Sequence, residues 1–135
     1  MSNALSTLAL FELMDINAVN KRRREVSDYY FHNFNYKILP GFDGEKIYPL
    51  RFPVLVKDKM KAISFFSKHG IYIGDWYNQV IDPKSVKLEG VGYKMGSCPK
   101  AEGIAKHIIN LPTYFSMTEY DVKKITNLMN EYAGN

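Results

Sequence analysis

Ile47-Tyr-Pro-Leu-Arg-Phe-Pro-Val-Leu-Val56, followed at once by Lys57-Asp-Lys-Met-Lys-Ala-Ile-Ser-Phe-Phe-Ser-Lys-His-Gly70, is the stretch on which the fold turns. Tyr48, Leu50, Phe52, Val54 and Val56 fall on alternate positions, the period of a strand with one buried face. Pro49 and Pro53 lie within it and cannot donate to a ladder, so the strand is expected to be broken or to run along an edge. The pattern then changes. Asp58 is placed to cap a helix over about 59–69, with Met60, Ala62, Ile63 and Phe66 inward. Gly70 suits the left-handed residue that ends such a helix.

Upstream, Pro40, Gly41, Asp43 and Gly44 mark a turn, and Tyr36–Leu39 reads as a short strand before it. Residues 3–34 contain no Gly or Pro. Leu5, Leu8, Leu13, Ile16, Val19, Val26 and Tyr30 recur at mostly three- and four-residue steps, which predicts one long helix. Leu10, Phe11 and Met14 make its first half apolar nearly all round, as in a helix covered on several sides.

Downstream, Ile71–Ile73 reads as a short strand leading into Gly74-Asp-Trp-Tyr77. Residues 78–96, with Pro83 and three glycines, show no period and are expected to form a long loop acting as a mobile lid or a partner contact. Pro99 opens a helix over about 99–108, capped by Ser97 or Cys98. Asn110-Leu-Pro-Thr113 is expected to end it, enter a short extended piece and set the turn toward the last helix. Thr118 with Asp121, or Ser116 with Glu119, offers a capping box for that helix. Val122, Ile125, Leu128 and Met129 form its apolar face. The expected fold is α+β: a two-layer sandwich with a small, mostly antiparallel sheet, helices on one face, and a long N-terminal helix in front.

The chain has 135 residues, about the size of one domain, and no internal repeat or linker. Hydrophobic residues make up 46% and charged residues 24%, which excludes a disordered chain. Aromatic residues make up 14%, more rings than so short a chain can hide, so some are expected to face a partner. The net charge of +4 is spread out: residues 35–75 hold seven basic and four acidic groups, the rest near balance. Phosphate tracking needs a concentrated stripe, so no nucleic acid is expected. Lys21–Arg24 is the one basic run, and Glu25 and Asp28 beside it favour a solvated turn over an RNA contact.

Cys98 is the only cysteine, so no internal disulfide can form, and it is read as structural. His32, His69 and His107 are scattered without ligand spacing, and no metal is expected. No secretory signal and no apolar run of membrane length occurs, so the chain reads as cytoplasmic, with no membrane partner. Gly90, Gly92 and Gly96 miss the dinucleotide spacing. Asp43 and Glu45 sit in a turn where solvation explains them. None of the lysines stands in a setting that suggests Schiff-base chemistry. The residues alone therefore point to an α+β domain without an evident active site.

Several motifs in order add to this. Gly70-Ile-Tyr-Ile-Gly-Asp-Trp-Tyr77, Cys98-Pro-Lys-Ala-Glu102, Asn110-Leu-Pro-Thr113 and Met117-Thr-Glu-Tyr-Asp121 resemble the C-terminal part of the DegT/DnrJ/EryC1/StrS aminotransferases. Phe52-Pro-Val-Leu-Val56 is similar to the first strong strand of that family's small domain. Met1-Ser-Asn-Ala, the apolar helix after it, and Arg23 or Arg24 six residues before Tyr29 or Tyr30 are similar to its passage between domains. The resemblance implies an N-terminal helix over 1–34 continuing into an aminotransferase-like C-terminal small domain over 35–135.

The same resemblance implies transamination of nucleotide-linked keto sugars with pyridoxal phosphate. The family's cofactor lysine, ring-nitrogen aspartate and phosphate loop have no match in these residues. No cofactor is thus expected in this chain alone, and no activity on its own. The aromatic pair that the family presents near substrate falls on Trp76 and Tyr77, with Trp76 a variant of a more common His. Packing at the end of the sheet is the competing reading for both rings. The partners implied are a second copy of the chain or a separately encoded large domain, with a nucleotide sugar as ligand. A non-catalytic binding or assembly module is the alternative.

Overall fold

The computed structural model describes residues 3–35, 49–83 and 85–134. The strand expected at Tyr36–Leu39, the turn at 40–44 and the start of the strand at Ile47 and Tyr48 lie outside them. The described chain runs α1 (Asn3–Met14), α2 (Ile16–Asn33), β1 (Arg51–Leu55), α3 (Lys59–Lys68), a 3-10 turn (Leu88–Val91), α4 (Pro99–His107), β2 (Ile108–Pro112) and α5 (Glu119–Gly134). The fold is α+β.

The N-terminal region is two helices, not the single one its lack of Gly and Pro suggests. The break falls at Asp15, which precedes α2 and whose carbonyl accepts from the Val19 N–H at 3.0 Å. Aspartate competes with the helix for its own backbone groups, so it is a weak interior residue. The two halves differ in burial. α2 seats Val26, Ser27 and Tyr30 in the interior, whereas α1 buries nothing.

β1 pairs antiparallel with β2 in the register Phe52↔Leu111 and Val54↔Ile109. Among the described residues β1 has no second neighbour, so Pro53 sits on an edge strand, where a missing donor is tolerated. The period-two reading holds for Phe52, Val54 and Val56, all buried; Leu50 is exposed. The extended piece expected at Asn110-Leu-Pro-Thr113 is strand and strand end, and the turn between helices expected there is corrected. Ile109, Leu111 and Thr113 alternate inward there. Ile71–Ile73 forms no strand; only a single bridge, Gly74↔Asn110, joins that segment to β2.

One hydrophobic cluster unites Phe52, Val54, Val56, Ile109 and Leu111 of the strand pair with side chains of α2, α3 and α5. At its centre Tyr30 stacks on Phe34 at 5.2 Å and meets Phe52 edge-on at 5.4 Å. The Tyr30 hydroxyl donates to the Pro112 carbonyl at 3.1 Å, tying α2 to the end of β2. Burial pushes that hydroxyl far above the usual tyrosine range, with Tyr114 and Asp121 adding to the rise.

Local signals for α3 and α5 are realised. Asp58 accepts from the Lys61 N–H at 3.0 Å, and Gly70 has φ +73°. Ala62 and Phe66 point inward, but Met60 is exposed. For α5 the Thr118 frame is the one used: Thr118 N–H donates to Asp121 Oδ2 at 2.9 Å, and Asp121 N–H donates to Thr118 Oγ1 at 3.2 Å. Pro99 opens α4, with Cys98 before it making no side-chain cap bond.

Candidate functional site

The segment after α3 carries the sequence-predicted pair, Trp76 and Tyr77. Its course is set by its backbone. Gly74 N–H and C=O both bond Asn110 at 2.8 Å. A Cβ at Gly74 would lie 3.2 Å from the Asn110 Cβ, a tight contact that β2 would have to relieve by a few tenths of an ångström. The Asn110 side-chain amide donates to the Trp76 carbonyl. Lys59, buried in the first turn of α3, donates from Nζ to the carbonyls of Asp75, Tyr77 (3.1 Å) and Ala105 (3.4 Å).

Three consecutive carbonyls, 75 to 77, are thus drawn inward, and the two rings are turned outward. Trp76 is 53% exposed and Tyr77 58%. About half of each ring is thus left uncovered by the described residues, although tryptophan tends toward burial. The Arg51 guanidinium carbon stands 5.7 Å from the Trp76 ring centroid, within cation–π range.

The 78–96 segment lies next to this pair. The 3-10 turn ends at Gly92, φ +74°. Glu102, in the first turn of α4, ties the segment down: its Oε1 accepts from the Tyr93 hydroxyl at 2.8 Å and from the Gly96 N–H at 2.7 Å. Those bonds, the Tyr93 one first, hold the Glu102 carboxyl below its usual range. A cavity of about 150 Å³ lies beneath, between Asn78, Val80, Leu88, Met95 and Ala105. Sequence reading missed both anchors. Nothing in the spacing around Lys59 points to its acceptors, and Glu102 belongs to the Cys98–Glu102 motif without an evident partner.

Two of the four basic residues of the Lys21–Arg24 run are paired with nearby acids. Arg22 pairs with Glu25 at 3.1 Å and also donates to the Met117 carbonyl at 2.7 Å, while Arg24 pairs with Asp28 at 3.7 Å. A shallow cavity of about 360 Å³ beside it has mixed lining, with Glu25 and Glu119 against Arg22 and Lys123. Among the described residues no group of three or more His, Cys, Asp or Glu could hold a metal ion. None of the described helices is long and apolar enough to cross a membrane. Cys98 is an exposed free thiol.

The one buried lysine among those described is Lys59, and its three carbonyl acceptors match the three donors of an ammonium group. A lysine so engaged is not a free amine positioned for a carbonyl.

The fold itself is shared with sugar-modifying enzymes. Spr1654 of Streptococcus pneumoniae, described as a sugar aminotransferase, superposes in its apo form with a TM-score of 0.85 at 19% identity, covering 99% of this chain and 35% of that one. DesV of S. venezuelae, in complex with a ketimine intermediate, gives 0.80 at 19% identity, covering 95% and 35%. The sugar aminotransferase CalS13 of Micromonospora echinospora gives 0.69 at 13%, covering 90% and 33%. The chain spans about a third of the length of these structures. No curated protein matches it. The chain belongs to the DegT/DnrJ/EryC1/StrS aminotransferase family, whose model matches residues 1–130.

Proposed function

We propose that this chain is the C-terminal small domain of a cytoplasmic sugar aminotransferase acting on nucleotide-linked keto sugars, and that these 135 residues do not transaminate by themselves. The observation that carries the reading is the family match over residues 1–130 in a chain that spans only a third of its structural neighbours. The full reaction uses pyridoxal phosphate, and the groups that hold it belong to the remaining two thirds of the family's fold, on the same polypeptide or another. The part played here is substrate contact: Trp76 and Tyr77, held outward on an anchored backbone, offer an aromatic surface to the substrate.

Reduction with borohydride after adding pyridoxal phosphate tests the catalytic half of this reading. The expected mass spectrum shows scattered, substoichiometric modification. One lysine labelled stoichiometrically, with a Schiff-base absorbance band that a single lysine substitution abolishes, would overturn it.

A second reading rests on α1. Leu5, Leu8, Leu10, Phe11, Leu13 and Met14 are each 58–78% exposed. Such a contiguous apolar surface marks an interface. The chain is then an assembly module that associates with a second copy of itself through α1, and its mass in solution decides the matter.

A further inference from the structure

We infer that residues 86–97 form a strap that opens as one unit over the cavity between Val80 and Ala105, and that the Glu102 carboxylate is the latch holding it shut.

Packing does little to hold this strap down. Val86, Leu88 and Tyr93 are half-buried, and every other residue from 86 to 97 is exposed. None of them belongs to the hydrophobic cluster of the core. Burial of apolar surface is the main cohesive force of a fold, and the strap has little share in it.

Its backbone bonds are local. Gly90 N–H donates to the Lys87 carbonyl at 3.0 Å, Gly92 N–H to Glu89 at 3.1 Å, Tyr93 N–H to Leu88 at 2.9 Å and Ser97 N–H to Lys94 at 3.1 Å. Val86 N–H reaches back only to Pro83, at 2.9 Å. These bonds give the strap an internal shape, so that it moves as a piece, but they fasten it to no helix or strand.

Among the described residues, the hydrogen bonds that do leave the strap for a regular element both end on one atom. Glu102 Oε1, in the first turn of α4, accepts from the Tyr93 hydroxyl at 2.8 Å and from the Gly96 N–H at 2.7 Å. The ion pairs of those residues include none of Lys87, Glu89 and Lys94. Short bonds to a charged oxygen are strong ones, and a single substitution removes both. A stretch without buried residues and with one point of attachment is the kind that opens while the rest stays folded.

The latch also governs what lies beneath. Leu88 and Met95 of the strap close a cavity of about 150 Å³ against Val80 and Ala105, with Glu102 itself in the lining. Lifting the strap takes Leu88 and Met95 out of that wall and opens the cavity to solvent. Asn78 and Gln79, which line it too, follow directly on the Trp76–Tyr77 pair.

A strap that unfolds only with the whole molecule is the competing account, and hydrogen exchange separates the two. Amide exchange of the full chain is followed residue by residue for the parent, Glu102→Ala, Glu102→Gln and Tyr93→Phe. In the parent the amides of Gly90, Gly92, Tyr93 and Gly96 should exchange together, and faster than those of β2 and α5. Glu102→Ala should speed the strap about tenfold or more and leave β2 and α5 unchanged. Glu102→Gln and Tyr93→Phe should each give a smaller rise. Trypsin should cut after Lys87 and Lys94 faster in Glu102→Ala by the same factor as the exchange.

Strap exchange that is the same in Glu102→Ala and the parent overturns the latch. Exchange that rises equally in the strap, β2 and α5 overturns the local opening. Should Glu102→Ala fail to fold, Tyr93→Phe, which loses one of the two bonds, decides by the same comparison, and an unchanged strap there overturns the latch as well.

Discussion

Lys59 Nζ, in the first turn of α3, donates to the backbone carbonyl of Tyr77 at 3.1 Å, across a link that also takes in Asp75 and Ala105. One buried ammonium thus joins the start of α3, the Trp76–Tyr77 segment and the last part of α4. The aromatic pair is exposed not because its rings lack affinity for the core but because its backbone is held from below.

Lys59→Met keeps the stem's volume and removes the three donors. The carbonyls of Asp75, Tyr77 and Ala105 lose a partner, and a loss of about 1–3 kcal/mol is expected for leaving buried acceptors unmet. Urea unfolding followed by circular dichroism measures it. Tryptophan fluorescence of the folded variant should also shift, since Trp76 is the only tryptophan and its backbone loses support. A stability drop with unchanged emission would mean that Asn110 alone fixes the segment.

Tyr30→Phe removes the hydroxyl that bonds the Pro112 carbonyl inside the core. At neutral pH the expected cost is about 1 kcal/mol. The pH dependence has a definite sign. The folded-state pKa of Tyr30 is raised, so its contribution is complete below the unfolded value of about 10 and declines as pH climbs above that. The parent should therefore lose stability more steeply than Tyr30→Phe between neutral and strongly alkaline pH. Parallel slopes for the two proteins would show that Tyr30 is not the residue responsible.

The local elements were legible and the long-range ones were not. Asp58, Gly70 and the Thr118–Asp121 pair each act within a few residues of the helix end they specify, so sequence spacing is enough to find them. β2 was legible only as a short extended piece, because it follows α4 without a loop and ends in Pro112, which resembles a turn; its partner Phe52 lies far away in the chain. The alternation of Ile109, Leu111 and Thr113 was the available signal. Asp15 was likewise the one sign of a break in a stretch without Gly or Pro. Trp76 and Tyr77 were singled out through family resemblance, but the anchoring of their backbone by Lys59 and Asn110 is something no spacing rule reveals.

Thr118→Ala deletes the hydroxyl half of the α5 capping box, and a loss of about 1 kcal/mol is expected. The Asp121 carboxyl is held below its usual range, by the Thr118 hydroxyl first and then by the Thr118 N–H. A depressed carboxyl contributes stability above its unfolded pKa of about 4 and loses it as pH falls through the folded value. The parent should thus show a steeper acid limb than Thr118→Ala, read from melting temperatures across the acidic range. Equal limbs would assign the acid sensitivity to other carboxylates.

The double variant Leu8→Glu, Phe11→Glu tests α1 as an association surface. Neither residue is buried, so the melting temperature of the dilute protein should hold. In a self-associated parent each such side chain would gain about 1.5–3 kcal/mol when fully buried. Two carboxylates per copy, brought against two more, would reverse that gain. Light scattering across a concentration series is expected to give a mass above 15.6 kDa for the parent and the monomer mass for the variant. A parent that is already monomeric at the highest concentration would sink the second reading. The apolar face of α1 would then call for another part of the family's fold as its cover, in line with a chain that spans a third of its structural neighbours.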